Sequence, residues 1–407
     1  MDWVVPEYGL GSRIDFEEME AIARGLQQDG LGGGALLREF ELAFARFCGA
    51  QHCIATVSGT TALHMVAHAL DLGGDTEVIC TPQTFQATML PFLYRRVPVR
   101  FCDIEADTLC PDPATVERLI TPRTRALYVM HYGGLPCDMD PFLQIAARRG
   151  LAVVEDAAHA PGARYHDRRI GGLSHATCFS FGSLKNMTLL GQGGAITTND
   201  DALAARLSTM VGRGLHGERR ERPDRMIGPY REPDPRYADH SGDSYSHDWV
   251  SIDAIGANLS PCSVQAAAGL VQLAKLDHMN EIRRSLVARY RQGLGQIEGM
   301  RFQAEHPGRQ SVYHLFPVFF DQKETGIDHD DLIRAIEARG VRVNNRFFPC
   351  HLSSYLRPLG HQFGDCPVTE RVWFDQQVNL PISPLHTIEQ VDYAVEAIAE
   401  AVRSLRK

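Results

Sequence analysis

Short apolar runs recur along the first half of the chain and alternate with stretches whose apolar residues fall at helical spacing. The runs at 53–57, 77–80, 99–103, 125–131, 152–156, 178–181 and 195–198 show little polar alternation. That is the pattern of strands buried on both faces. Amphipathic patterns at 60–70 and 141–149 lie between some of them. The alternation predicts an α/β fold with a mainly parallel central sheet covered by helices. In such sheets ligands gather at the carboxyl ends of the strands. From about Met279 the character changes. A long charged helix is expected over 280–297, strands over 313–320 and 341–346, and a closing amphipathic helix over 391–405. The chain therefore divides into a large domain, 1–278, and a smaller C-terminal α/β domain, 279–407. The large domain carries an N-terminal arm and an Arg-rich insert at 213–250.

Composition narrows the function classes. With 407 residues, 44% of them hydrophobic, the chain can bury a large core. A net charge of −9 argues against nucleic-acid binding through a broad basic face. No run approaches the roughly 18 apolar residues of a membrane helix, and the N-terminus lacks the basic and apolar regions of a signal peptide. The ten cysteines include no Cys-x-x-Cys pair, and several sit within apolar runs. They read as buried, reduced thiols of a cytoplasmic protein. No His/Cys cluster has the spacing of a metal site, so none is expected. Residues 218–236 carry six Arg and five acidic residues among prolines. Two readings stay open for them: a solvated loop, or a lid whose Arg residues face a phosphate or carboxylate.

The candidate chemistry lies at two strand ends. The apolar run 152–156 closes on Glu155-Asp156, and downstream comes Phe179-Ser180-Phe181-Gly182-Ser183-Leu184-Lys185-Asn186. A Lys between Gly and Ser residues is ordinarily a loop residue, and an Asp after a strand is ordinarily a helix cap. Together they form a pair suited to pyridoxal phosphate (PLP). A lysine amine condenses with an aldehyde, an aspartate keeps a pyridine nitrogen protonated, and a serine hydroxyl reaches a phosphate. Ser58-Gly59-Thr60-Thr61 precedes an apolar helix, where free backbone amides make an anion site.

The chain resembles the DegT–DnrJ–StrS sugar aminotransferases, which are fold-type I PLP enzymes. The resemblance runs from about Phe16 to the C-terminus. It rests on Ser58 through His64, Thr81-Pro82-Gln83-Thr84-Phe85, His131-Tyr132-Gly133-Gly134 with Asp138-Met139-Asp140, and Glu155 through His159. Further matches are Ser180 through Asn186, Gly191-Gln192-Gly193-Gly194, Gln272-Leu273, and Gly364 through Glu370. The family relation implies that Lys185 binds PLP covalently as a Schiff base and that Asp156 pairs with the ring nitrogen. It implies that Gly59, Thr60, Thr61 and Ser180 hold the phosphate, that Phe85 stacks on the ring, and that His159 lies by the ring and its hydroxyl. Asn258, in Gly256-Ala257-Asn258, matches the residue the family sends into a partner subunit's phosphate site. Ala257 and Ser260-Pro261 depart from the usual flanks, and Gly182-Ser183 replaces the commoner aromatic–Pro before the lysine.

The expected activity is transfer of an amino group from glutamate or glutamine to a keto-sugar or keto-cyclitol, with pyridoxamine phosphate between the two halves. The setting would be amino-sugar, polysaccharide or natural-product biosynthesis. The expected assembly is a homodimer with shared sites. A PLP-dependent lyase or dehydratase and a non-catalytic PLP-binding regulator remain as alternatives. Dehydratase relatives acting through pyridoxamine phosphate carry His in place of the lysine, and this chain keeps Lys185.

Overall fold

The computed structural model describes residues 3–32, 34–212 and 256–406. In chain order the first strands are β1 (His52–Thr56), β2 (Glu77–Cys80), β3 (Val99–Phe101), β4 (Thr124–Met130) and β5 (Ala152–Asp156). A short hairpin follows, β6 (Arg164–Tyr165) and β7 (Arg168–Arg169), then β8 (Ala176–Ser180) and β9 (Gly194–Thr198). All but the hairpin form one sheet in the order β1-β9-β8-β5-β4-β2-β3. The pairs from β3 through β2, β4 and β5 to β8 are parallel. β9 runs antiparallel to both β8 and β1. The α/β class and the mainly parallel sheet are as the pattern predicts. The antiparallel entry of β9 has a local reason: the connection from β8 contains no crossover helix, and a helix is what usually makes a parallel return.

Helices cover both faces. Phe16–Gln28 begins with a capping box in which Asp15 accepts from the Glu17 amide and Glu18 reaches back to the Asp15 amide. On one face Phe40 and Phe44, from the helix Ala35–Cys48, meet Phe179 and Phe181. The Phe44 ring lies 5.0 Å from Phe179 and 5.1 Å from Phe181, both edge to face. This cluster packs beneath β8 and the start of the lysine loop.

The second half departs from the expectation in three places. The charged helix expected from residue 280 is Ser263–Leu294. It starts earlier because Gln265 caps the Cys262 amide, and because Ala266, Ala267 and Ala268 are small enough to bury against the large sheet's helices. The division at 278/279 thus falls inside one continuous helix. Beyond it come β10 (Met300–Phe302), β11 (Arg309–Gln310), β12 (Phe316–Phe320) and β13 (Gln377–Leu380). β10, β12 and β13 make an antiparallel sheet backed by the helix Ile388–Leu405, while β11 pairs with β6. The strand expected at 341–346 does not form. That stretch makes isolated bridges, Val341 to Val5 of the N-terminal arm and Asn344 to Asn379. Two partners at opposite ends leave no continuous ladder. Likewise Tyr313 sits at φ 44°, which delays β12 until Phe316.

The insert 213–250 lies outside the described residues. Among those described, no helix is long and apolar enough to cross a membrane. All ten cysteines are free, and nine are buried.

The aromatic cluster predicts a stability test. Phe44→Ala should cost about 3–5 kcal/mol through lost burial and a residual cavity. Urea denaturation followed by fluorescence would read it, and an unchanged midpoint would show that the cluster repacks freely.

Candidate active site

β5 ends at Asp156 and β8 ends at Ser180, side by side in the parallel ladder. Successive residues of a strand face opposite ways. Glu155 therefore turns from Asp156 to bury against His131 Nε2 at 2.8 Å, with the Ser174 and Thr177 hydroxyls donating to its other oxygen. Asp156 faces a cavity of about 430 Å³ at the strand ends. Gly59, Thr60, Phe85, Asp156, His159, Ser180 and Lys185 all line that cavity.

The helix Gly59–Ala69 points its N-terminus at the cavity. Ser58 caps it, and its Oγ takes the Thr61 amide at 3.1 Å. Amides in the first turn have no preceding helical carbonyl to bond. Gly59 is needed here, because a Cβ would lie 2.6 Å from the Ser180 Cβ. The close approach brings the helix start and the Ser180 hydroxyl into one cradle suited to an anion. Thr61 is not on the cavity wall; its hydroxyl bonds Ser58 at 2.9 Å.

Asp156 is held by two bonds. Thr88 Oγ1 donates to Oδ2 at 2.6 Å, and the Ala158 amide donates to Oδ1 at 3.1 Å. Lys185 has its amine in the cavity, and burial lowers its pKa to about 8. Asp156 opposes that shift and Arg346 adds to it. His159 is fully buried, and neither ring nitrogen has a partner. Burial, reinforced by Lys185 and Arg346, drives its pKa well below the ordinary value, so the ring is neutral. Phe85 is half exposed at the mouth, its ring 5.7 Å from Phe347. Asn258 is exposed and off the cavity wall; its φ is 52°, and its amide donates to Gly212 O at 2.6 Å.

Sequence reasoning missed Thr88, His314, Arg346 and Phe347. Thr88 gave no signal, since its partner Asp156 is 68 positions away. His314 was visible as a lone imidazole within an apolar run, the usual mark of a buried polar role. Its ring centroid lies 4.2 Å from that of His159, tilted by 31°, and its Nδ1 bonds Asn186 Oδ1 at 3.1 Å. Arg346 ends the stretch misread as a strand and Phe347 follows it, and both line the cavity.

These donors suit a phosphorylated aromatic aldehyde. The cradle of Gly59, Thr60 and Ser180 has room and donors for a phosphate, Asp156 an acceptor for a protonated ring nitrogen, and Lys185 an amine for an aldehyde. The two orphaned nitrogens of His159 supply partners for ring substituents.

The family model described as DegT/DnrJ/EryC1/StrS aminotransferase matches residues 12–399. The chain belongs to the DegT/DnrJ/EryC1/StrS aminotransferase family. SpsC, a spore coat polysaccharide biosynthesis protein of Bacillus subtilis (strain 168), is 32% identical over 392 residues, 96% of this chain and 95% of its own. DesV of S. venezuelae, solved in complex with a ketimine intermediate, is 32% identical with a TM-score of 0.82, covering 95% of this chain and 94% of that one. An aminotransferase from Psychrobacter cryohalolentis superposes with a TM-score of 0.87 at 25% identity, over 99% and 100% of the two chains. The family is PLP-dependent and acts on small molecules, so the chain is an aminotransferase of that class.

The depressed lysine predicts a pH signature. In cofactor-free protein, labelling of Lys185 by an amine reagent should rise with a midpoint near 8, against the ordinary 10.5. Asp156 favours the ammonium form, so Asp156→Asn should move the midpoint down; Arg346→Gln should move it up. Peptide mass spectrometry across pH would follow the label. A wild-type midpoint near the ordinary value would contradict the enclosure of the amine.

Proposed function

We propose that the chain transfers an amino group from glutamate or glutamine to a keto-sugar or keto-cyclitol, with Lys185 as the covalent anchor for PLP. One observation carries this reading: a half-buried lysine with its amine in a pocket, an anchored carboxylate and a helix N-terminus converge on one cavity. The relation to SpsC and DesV supports a sugar acceptor.

When bound, PLP supplies an electron sink for the pair left at the donor carbon. Everything else falls to the chain. Gly59, Thr60 and Ser180 orient the phosphate, with Thr61 tying down the helix start through Ser58. Asp156, fixed by Thr88 and the Ala158 amide, keeps a proton on the ring nitrogen. Phe85 at the cavity mouth would help hold the ring, and neutral His159, whose ring nitrogens have no partner, would offer it a hydrogen bond. The Lys185 amine would carry the proton from the donor Cα to the cofactor, and from the cofactor to the acceptor carbon in the half-reaction that aminates the ketone. A lowered pKa leaves enough free amine for that task near neutral pH.

A homodimer fits this reading, with Asn258 reaching the partner's phosphate cradle; its exposure on this chain supports the assignment. Free cysteines support a reducing compartment, and we place the enzyme in the cytoplasm. We assign the seven-stranded sheet to a PLP-binding large domain and the sheet of β10, β12 and β13 to a small domain, with the helix Ser263–Leu294 running between them.

The test is a screen of keto-sugar acceptors with glutamate, with mass detection of the aminated product and of 2-oxoglutarate. Borohydride treatment of the PLP-loaded protein should fix the cofactor's mass on the Lys185 peptide, and Lys185→Ala should lose both the mass and all turnover. Asp156→Asn should retain cofactor and lose several orders of magnitude in kcat. Near-normal kcat in Asp156→Asn would reduce that residue to a structural role.

A further inference from the structure

The active-site cavity does not end at Lys185. It shares Leu184, His314 and Arg346 with a narrow crevice of about 40 Å³ beneath the N-terminal arm. Among the described residues, Arg346 is the one arginine lining the main cavity. Its guanidinium is paired with Glu7 from the arm, 339 positions away. Both side chains keep partial access to solvent, 24% for Arg346 and 33% for Glu7.

This pair sits in a built setting. The Arg346 carbonyl accepts from the Tyr132 hydroxyl and from Gln377 Nε2 at 2.5 Å. Gln377 in turn is bonded by Gln83 at 2.9 Å. The backbone that carries the guanidinium is therefore clamped from both sheets. The arm is fixed equally well. The Val5 amide donates to Gly340 O at 3.0 Å, Val5 O accepts from the Arg342 amide at 2.9 Å, and His386 bonds Pro6 O at 2.9 Å. Farther along, the Gly11 amide donates to Ser183 O at 2.8 Å, beside Lys185. A Cβ at Gly11 would come within 2.0 Å of Leu184 O, so the arm lies directly on the lysine loop.

The chemistry of the pair identifies a ligand. A guanidinium presents parallel donors that match a carboxylate. Glu7 is such a carboxylate, supplied by the chain itself. A single arginine suits one carboxylate better than a diphosphate, whose charge asks for several cations. An aminotransferase must use one pocket for two unlike substrates, an anionic amino acid and a keto-sugar. An arginine facing an uncharged part of the second would be left uncompensated.

We propose that Arg346 binds a carboxylate of the amino donor and that Glu7 is its internal stand-in. Glu7 neutralises the guanidinium while the acceptor occupies the pocket and yields it to the donor. The inference rests on the proposed aminotransferase reading and names the recognition element for its donor. It makes Arg346 a specificity residue and Glu7 a positioning residue.

The probe is glutarate, a dicarboxylate without an amine, which occupies a donor site and cannot react. Its Kd for the PLP-loaded enzyme is measured by calorimetry for wild type, Arg346→Gln, Arg346→Lys and Glu7→Gln. Arg346→Gln should weaken glutarate by about tenfold or more, as loss of a charge-assisted bond implies. Arg346→Lys should recover part of that loss, since it keeps charge and loses the fork. Glu7→Gln should tighten glutarate several-fold, because the internal competitor is gone, and should raise the acceptor KM more than the donor KM. PLP content and the borohydride-fixed mass at Lys185 report separately on the underlying reading. Loaded, active enzyme whose glutarate Kd ignores Arg346, or weakens in Glu7→Gln, would overturn the proposal alone. Stronger competition at Arg346 by inorganic phosphate than by glutarate would also overturn it, in favour of an acceptor phosphate.

Discussion

Asp156 lies opposite Cys178 in the parallel ladder between β5 and β8, and the site grows from that register. Parallel pairing sends both strands to the same edge of the sheet. Asp156 and the loop after Ser180 therefore emerge side by side, although the hairpin β6–β7 lies between them in the chain. A slip of one residue would send Asp156 to the face now held by Glu155. The Glu155 cluster resists such a slip, because its buried carboxylate has three partners on that face. Phe179 and Phe181 add packing under the same strand.

Burial at that edge shapes the electrostatics of the site. Burial lowers the affinity of Lys185, His159 and His314 for protons, Arg346 lowers it further at all three, and Lys185 adds to the effect at both imidazoles. Asp156 is the negative group that offsets part of this effect at Lys185. The result is a lysine of lowered basicity beside two neutral imidazoles and an anchored carboxylate. Each keeps a separate task because its environment differs.

The smaller sheet contributes walls as well as support. His314, just before β12, and Arg346, in the irregular stretch, both close the cavity. Asn186 ties the lysine loop to this side, bonding His314 at 3.1 Å and Asn280 at 3.0 Å. The N-terminal arm crosses both parts, from Gly340 at one end to Ser183 at the other. Neighbours of the lysine thus come from three distant segments.

Residue order and type were enough to read the α/β architecture and seven residues of the cavity wall: Gly59, Thr60, Phe85, Asp156, His159, Ser180 and Lys185. Apolar runs and helical periods are local, so the strands of the large sheet could be placed to within a few residues. Gly59, Asp156, Ser180 and Lys185 stood in short stretches whose chemistry is readable from residue type and order. Tertiary structure decided the rest. Thr88 reaches Asp156 across 68 positions, and Asn186 reaches His314 across 128. No local pattern encodes such pairs. The helix at Ser263 and the broken stretch at 341–346 were misjudged for the same reason. Burial of Ala266 to Ala268 settled the first, and competing partners at Val5 and Asn379 settled the second. Each depends on what packs against a segment, which a periodicity cannot express.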